Sequence, residues 1–569
     1  VERAPRILIA LLKAHGIRNI IASPGTTNMA FIASVQGDPF FKIYSSVDER
    51  SAAYMACGMA AESGKPVVIS CTGATASRNY MPGLTEAYYR KLPVLAITST
   101  TVLDSNGNLT PQKVDRSVSP NDVYRFKCNI RIIHSEQEAW LANTQINTAI
   151  LALTHKGGGP AHINLETDYS NRYEYKELPE ERVINRITPS DVFPKLLREY
   201  KVAVFIGSHK TMSHDLKEAI DSFCLSYNAV VIGDLTSGYN GKYKVNSSLI
   251  CSQTGRCNLR KFDVVIHIGE VSGDYYSSRI VAKEVWRVSQ DGEIRDLWHS
   301  LRYVFEMQEE LFFTNYSDTH ISDSSLLEQC EKECQEIIKS IPSLPFSHIW
   351  IAQQTAHKFP KRCIVHFGIL NTLRSWNFFS LSEDIETYCN VGGFGIDGIV
   401  STLIGASLIR EDKICFAILG DLAFFYDLNS MANRHVGNNV RIMLVNNGRG
   451  VEFTNYSHPG YVLGEQAIPF VAAGGHFGNK SLMLVKHFAE DLGFEYLTAS
   501  NKEEYLNAVD RFLTSEITDK PMIFEVFTDS KDESDALEIM LNLKTDTPSK
   551  STLKSTIKNG VRSVLGDKA

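Results

Sequence analysis

Gly420-Asp421-Leu422-Ala423-Phe424-Phe425-Tyr426-Asp427-Leu428-Asn429, read with Leu444-Val445-Asn446-Asn447-Gly448, decides the fold. The apolar run from Ile414 to Leu419 reads as a buried strand that stops at Gly-Asp. The run from Arg441 to Val445 reads as a second, stopping at Asn-Asn. Asp427 to Asn433 reads as a helix start between them. The spacing suits one strand-helix-strand crossover. Both polar ends then fall at the carboxyl ends of neighbouring strands, where open α/β sheets bind ligands. A carboxylate, an amide oxygen and backbone carbonyls form an all-oxygen set suited to Mg²⁺ holding a diphosphate. The plainer alternative is an Asp in a turn and an Asn pair in a hairpin.

Working outward, 569 residues leave room for three or four domains. A net charge of −7 favours neither nucleic acid nor an anionic membrane as partner. No apolar run reaches the length of a membrane helix, and no signal peptide is visible, which points to the cytoplasm. Several of the eleven cysteines lie inside apolar segments, as reduced core cysteines do. Cys251 with Cys257, and Cys330 with Cys334, lack the second pair that a zinc site needs.

The strand-turn-helix alternation predicts an α/β protein with three doubly wound parallel-sheet domains, over 1–175, 187–341 and 346–545, and a polar tail over 546–569. In the first block, strands end at the hydroxyl-rich turn Ser23-Pro24-Gly25-Thr26-Thr27-Asn28, before Asp48-Glu49-Arg50, and at Thr72-Gly73. The helix from Ser51 to Ala61 is full of small residues, which allow close helix approach and suit a subunit contact. The middle block carries few motifs and reads as architectural. In the third, Gly393-Phe394-Gly395-Ile396-Asp397-Gly398 matches the dinucleotide fingerprint between a strand and a helix. Against NAD stand its short polar strand and the Gly420-Asp421 strand end, which suits metal better than ribose. At Asp48-Glu49, the residues alone leave two readings open: carboxylates favouring a helix dipole, or one carboxylate reaching a ligand.

Residues 17–90 resemble the pyrimidine-binding domain of thiamine diphosphate enzymes. The resemblance is carried by Ser23-Pro24-Gly25-Thr26, Asp48-Glu49-Arg50, Thr72-Gly73 and Pro82 with Glu86-Ala87. In the third block it is carried by Asn390, Gly392 and Gly395-Ile396-Asp397-Gly398 with Ser401-Thr402, by Gly420-Asp421-Leu422, by Tyr426-Asp427-Leu428-Asn429 and by Asn446-Asn447. These last features are similar to the menaquinone-pathway family of 2-succinyl-5-enolpyruvyl-6-hydroxy-3-cyclohexene-1-carboxylate synthases. The resemblance implies pyrimidine-binding, central and diphosphate-binding domains, with thiamine diphosphate and Mg²⁺ as cofactors. It makes Glu49 the catalytic carboxylate at N1′ of the aminopyrimidine. Pro24, Gly25, Thr72, Ile396, Gly420, Asp421, Leu422 and Asn447 become cofactor residues, Ile396 propping the cofactor's bent shape. Asp421, Asn447 and the carbonyl of Arg449 become metal ligands. Thr26, Thr27, Arg78, Gln112, Arg279 and Arg374 fall at or near substrate positions.

The family binds 2-oxoglutarate and isochorismate through several arginines, and this chain departs from that pattern. Thr27 and Val391 stand where the family has Arg, and Ser278 where it has Lys. Arg279 keeps one basic site, Arg374 lies near another, and Arg78 is an added cation. Each lost charge-assisted contact costs about 1.5–3 kcal/mol. The implied enzyme decarboxylates a 2-oxo acid and transfers an acyl carbanion equivalent to an acceptor, with a substrate other than the family's. It works as a homodimer or homotetramer, Glu49 of one chain serving Asp421 of another. The alternatives are a simple 2-oxo acid decarboxylase, a non-catalytic thiamine diphosphate-fold binding protein, and an NAD oxidoreductase.

Overall fold

The computed structural model describes residues 2–101, 108–168, 173–175, 177–254, 260–476 and 480–544. The expected tail over 546–569 and Cys257 lie outside them. Three sheets of parallel strands flanked by helices carry the chain, as the alternation predicts.

The first sheet holds β1 (Asn19–Ala22), β2 (Lys42–Ser45), β3 (Val67–Thr72), β4 (Val94–Thr100), β5 (Phe126–Ile130) and β6 (Ala161–Glu166), in the order β2-β1-β3-β4-β6-β5. Both faces are covered. Ile20, Val68, Leu95, Ile97 and Ile163 pack into one cluster, while their strand neighbours Ile21, Ile69, Val94 and Ala96 pack into another. Full cover on two faces explains why the central strands read as unbroken apolar runs.

The second sheet holds β7 (Asn185–Ile187), β8 (Val202–Ile206), β9 (Val230–Gly233), β10 (Lys244–Val245), β11 (Lys261–Ile268), β12 (Val281–Ser289) and β13 (Leu301–Glu306), in the order β10-β9-β8-β11-β12-β13-β7. The third holds β14 (Ile364–Phe367), β15 (Glu386–Cys389), β16 (Cys415–Gly420), β17 (Val440–Asn446), β18 (Glu495–Ala499) and β19 (Met522–Phe527), in the order β15-β14-β16-β17-β19-β18. The chain divides into two compact units, 1–194 with 284–307, and 195–283 with 308–569. Thus β7, β13 and β12 from Glu284 onward belong to the first unit, and β8 to β11 with the first three residues of β12 to the second.

Two local expectations change. The small residues of the helix Glu49–Ser63 serve the chain's own core: Ala52, Ala53, Ala56 and Ala60 are buried. A β-carbon at Gly83, on the helix Met81–Tyr89, would lie 2.5 Å from that of Ala53, so Gly there permits the approach. The helix expected from Asp427 is present as the 3-10 turn Leu428–Ala432, and an α-helix starts earlier, at Asp421 directly at the strand end, and runs to Tyr426. Asp421 favours that earlier start, because its carboxylate accepts the Leu422 amide at a helix N-terminus. Among the described residues no helix is long and apolar enough to cross a membrane.

Glu533 ties the last helix, Ser530–Leu541, to the rest of the second unit. Its carboxylate accepts from the His348 amide at 3.0 Å, Thr528 Oγ1 at 2.7 Å and Asn371 Nδ2 at 3.5 Å. Burial pushes its pKa up to about 7. The folded chain therefore holds a proton that the unfolded chain releases near 4.5, and stability falls as pH rises through that window. The cost above pH 7 is about 3 kcal/mol. Glu533→Gln removes it, so thermal melts should show the variant gaining on wild type between pH 5 and pH 8. A gap that stays constant with pH would refute this.

Candidate active site at the strand ends

In open α/β sheets the crevice lies where neighbouring strands send their connections to opposite sides. In the first sheet that point falls between β1 and β3, in the third between β14 and β16, and in the second between β8 and β11. The second is closed by its own backbone. The Glu270 amide donates to the Ser208 carbonyl at 2.8 Å, and a β-carbon on Gly207 would collide with the Glu270 carbonyl. The other two carry the candidate residues.

At the first crevice the turn after β1 meets the tip of β3. A β-carbon on Gly25 would lie 2.9 Å from Cβ of Thr72, so glycine is needed for the approach. Thr27 is buried, its hydroxyl bonded to that of Thr72 and donating to the Ser99 carbonyl at 2.7 Å. Pro24 and Thr26 are exposed on the rim. After β2, the two carboxylates part company. Asp48 caps the helix Glu49–Ser63, accepting from the Ser51 amide at 3.2 Å and hydroxyl at 2.7 Å. Glu49, the first helical residue, is left half-buried, with Asn79 Nδ2 donating to it at 3.1 Å. Asn79 was not legible beforehand, because it lies thirty positions on with no pattern linking the two. Arg78 is exposed and donates to the Asp115 carbonyl at 3.0 Å. Gln112 is exposed in a left-handed conformation, φ 62°. Ala74, just past the β3 tip, is also left-handed, φ 55°. Such backbones recur at functional sites.

At the other crevice β16 and β17 run in register, Gly420 opposite Val445, which brings Asp421 beside Asn446 and Asn447. Asp421 is 5% exposed. Burial raises its pKa to about 7, against the pull of the Leu422 and Gly448 amides and the charge of Arg449. Asn446 is spent on structure: its Nδ2 donates to the buried Glu525 at 2.8 Å, and its Oδ1 accepts the Gly448 amide at 3.2 Å. Asn447 Oδ1 is buried with no hydrogen-bond partner. A buried carboxylate short of countercharge beside an orphaned amide oxygen fits a hard divalent cation. Leu422 flanks Gly450 across this turn. Leu370, at the tip of β14, has φ 61°.

Ile396 packs on the core of the third sheet, in the loop before the helix Ile399–Ile409. Asn390 pins that loop, donating to the Gly398 carbonyl at 3.2 Å and to Thr402 Oγ1 at 3.1 Å. Asp427 pins the helix start, accepting from the Ser401 amide at 2.6 Å and from the hydroxyls of Ser401 and Ser430. The glycine fingerprint follows β15, an edge strand that does not itself border the crevice, and leads into the helix Ile399–Ile409.

The basic positions sort unequally. Val391 is buried, close to Gly273. Arg374 forms a buried two-pronged ion pair with Glu452, at 2.9 and 2.7 Å, so its charge is already met within the chain. Glu452, which no motif announced, is what neutralises it. Arg279 lies over the Tyr276 ring, 4.8 Å from its centre.

Residues 3–119 match the family described as thiamine pyrophosphate enzyme, N-terminal TPP binding domain. The chain is 30% identical to a 2-succinyl-5-enolpyruvyl-6-hydroxy-3-cyclohexene-1-carboxylate synthase of Phocaeicola vulgatus, over 93% of this chain and 96% of that protein. It is 29% identical to the synthase of that name from Bacteroides fragilis, over 93% and 97%. For the one from Flavobacterium psychrophilum the figures are 27%, 92% and 96%. Likeness along nearly the whole length of both chains, on a fold whose first and third sheets open crevices at the expected turns, places this chain in the thiamine diphosphate-dependent enzyme family of the 2-succinyl-5-enolpyruvyl-6-hydroxy-3-cyclohexene-1-carboxylate synthases.

Proposed function

We propose that the chain is a Mg²⁺- and thiamine diphosphate-dependent enzyme that decarboxylates a short 2-oxo acid and passes the acyl unit to an acceptor. The observation that carries this is the desolvated Asp421 carboxylate beside the unpartnered Asn447 Oδ1 at the β16–β17 strand ends. Asp421, Asn447 Oδ1 and the carbonyl of Arg449 would hold Mg²⁺, with Gly420 and Leu422 against the diphosphate. When bound, thiamine diphosphate supplies the electron sink for losing CO₂ from a 2-oxo acid. Glu49 would hold the aminopyrimidine at N1′, and Asn79 keeps that carboxylate in place. Pro24, Gly25 and Thr72 shape the pocket around the ring, and Ile396 supports the cofactor's bend.

The proposed donor differs from the 2-oxoglutarate that the family binds. Thr27 and Val391 bring no charge, and Arg374 is held by Glu452, so these three positions offer no free cation to a polyanionic pair of substrates. Thr26, Arg78 and Gln112 in the first unit, and Arg279 in the second, are each proposed as substrate contacts. Assembly as at least a homodimer belongs to the same reading. Tyr54 and Met55, on the helix that Glu49 begins, and Val47 before it expose large apolar surface, as an interface does. The domain limits 1–175, 187–341 and 346–545 also belong to it.

The test is CO₂ release from pyruvate, 2-oxobutyrate and 2-oxoglutarate, with thiamine diphosphate, Mg²⁺ and carboxylate acceptors supplied. The expected result is turnover with a monocarboxylic 2-oxo acid preferred over 2-oxoglutarate. Preference for 2-oxoglutarate by tenfold or more would return the chain to the relatives' substrate, and no release from any donor would defeat the reaction assignment.

A further inference from the structure

Arg116 is a half-buried guanidinium held against the strand ends of the first sheet. Its Nη1 donates to Thr98 Oγ1 at 3.1 Å and its Nη2 to Asn164 Oδ1 at 2.7 Å. Both acceptors are neutral and buried. Thr98 in turn donates to Asn164 Oδ1 at 2.9 Å and meets His162 Nε2 at 2.8 Å. With its proton spent on Asn164, the Thr98 hydroxyl can only accept from His162, which sets the Nε2–H form of that ring. Burial, with Arg116 and Lys127 adding, pushes the His162 pKa down to about 3, so the ring is neutral and brings no countercharge.

Among the described residues Arg116 forms no ion pair. The charged groups around it are mostly cations. Arg78 bears on it directly, and Lys113 and Lys127 each feel its charge. The nearby acids serve other partners: Asp115 accepts from the Ser117 amide at 2.8 Å and lies in the field of Arg78 and Lys127, and Glu166 acts on Lys113. Asn164 Nδ2, on the amide that fixes Arg116, is itself buried without a partner. A half-buried cation this short of countercharge is ready to take an anionic ligand.

The position is informative. A β-carbon on Gly73 would lie 3.1 Å from Arg116 Nη2 and equally 3.1 Å from the Ser99 carbonyl, the group to which Thr27 donates. Arg116 thus reaches the crevice from the segment after β4, at the place where Thr27 lacks a charge. We infer that Arg116, fixed on Thr98 and Asn164 beside Gly73, is the specificity-determining residue that receives a carboxylate of the acceptor. This rests on the reading above: a short donor loses its only carboxylate as CO₂, so the carboxylate that stays is the acceptor's. The planar fork of Arg suits a carboxylate better than the point charge of Lys.

Calorimetric titration of the thiamine diphosphate- and Mg²⁺-loaded protein with cyclohex-1-ene-1-carboxylate, and separately with 2-oxoglutarate, tests this. Wild type should bind the ring carboxylate. Arg116→Gln should weaken it about 10- to 100-fold, and Arg116→Lys by less. Cofactor affinity and melting temperature should stay at wild-type values in both variants, which a purely structural Arg116 would not allow. Ring-carboxylate affinity that is absent in wild type, or unchanged in Arg116→Gln, overturns the inference, as does an Arg116 effect confined to 2-oxoglutarate. Arg116-dependent binding in a protein that releases no CO₂ from any 2-oxo acid would uphold the site and defeat the reaction.

Discussion

Glu49→Gln should lower the rate of CO₂ release by about 100- to 10,000-fold while leaving fold and cofactor affinity intact. The substitution is isosteric. A glutamine oxygen can still accept from Asn79, and the helix cap is supplied by Asp48, which the change does not touch. What would be lost, on the proposed function, is the acidic group at N1′, and with it the proton shuttling that a carboxylate supports and an amide does not. Exchange of the cofactor's C2 proton for deuterium, followed by NMR, reads this step without needing the true substrate. Exchange at the wild-type rate in the variant would remove Glu49 from the mechanism and favour a protein that binds the cofactor without using it.

Asp421→Asn should weaken thiamine diphosphate binding in Mg²⁺ by about 10- to 100-fold or more, because the proposed charged metal ligand becomes neutral. The cofactor-free variant should be at least as stable as wild type. In wild type the buried carboxylate has only amides and the field of Arg449 to offset it, so replacing it with an amide of equal size removes a desolvation cost. Opposite signs for binding and stability mark a residue kept for a ligand. If Asp421→Asn melts several degrees below wild type and binds the cofactor normally, the carboxylate is structural.

Much of this was legible because central strands of a doubly wound sheet are apolar on both faces. The runs at Val67, Val202, Val264, Ile414, Arg441 and Met522 all became strands, and the polar residues that end them mark the crevices. The strands missed were β5, β7, β10, β13 and β18. All but β13 lie at sheet edges, where one side meets solvent, and their short mixed sequences, such as Glu495–Ala499, carry no such run. Site chemistry was legible where a residue stands at a strand tip, as Glu49, Thr72 and Asp421 do. It was hidden where a partner arrives from far along the chain. Nothing near Arg374 in sequence shows that Glu452 takes up its charge, and nothing in the stretch around Gln112 shows that Arg116 turns back under Gly73.

The proposed cation at the β16–β17 strand ends is tested most directly by titrating the protein with thiamine diphosphate in Mg²⁺ and again in EDTA. The expected result is saturable binding in Mg²⁺ that is lost in EDTA and returns when Mg²⁺ is restored. Equal affinity in both buffers, or no binding in either, would contradict it.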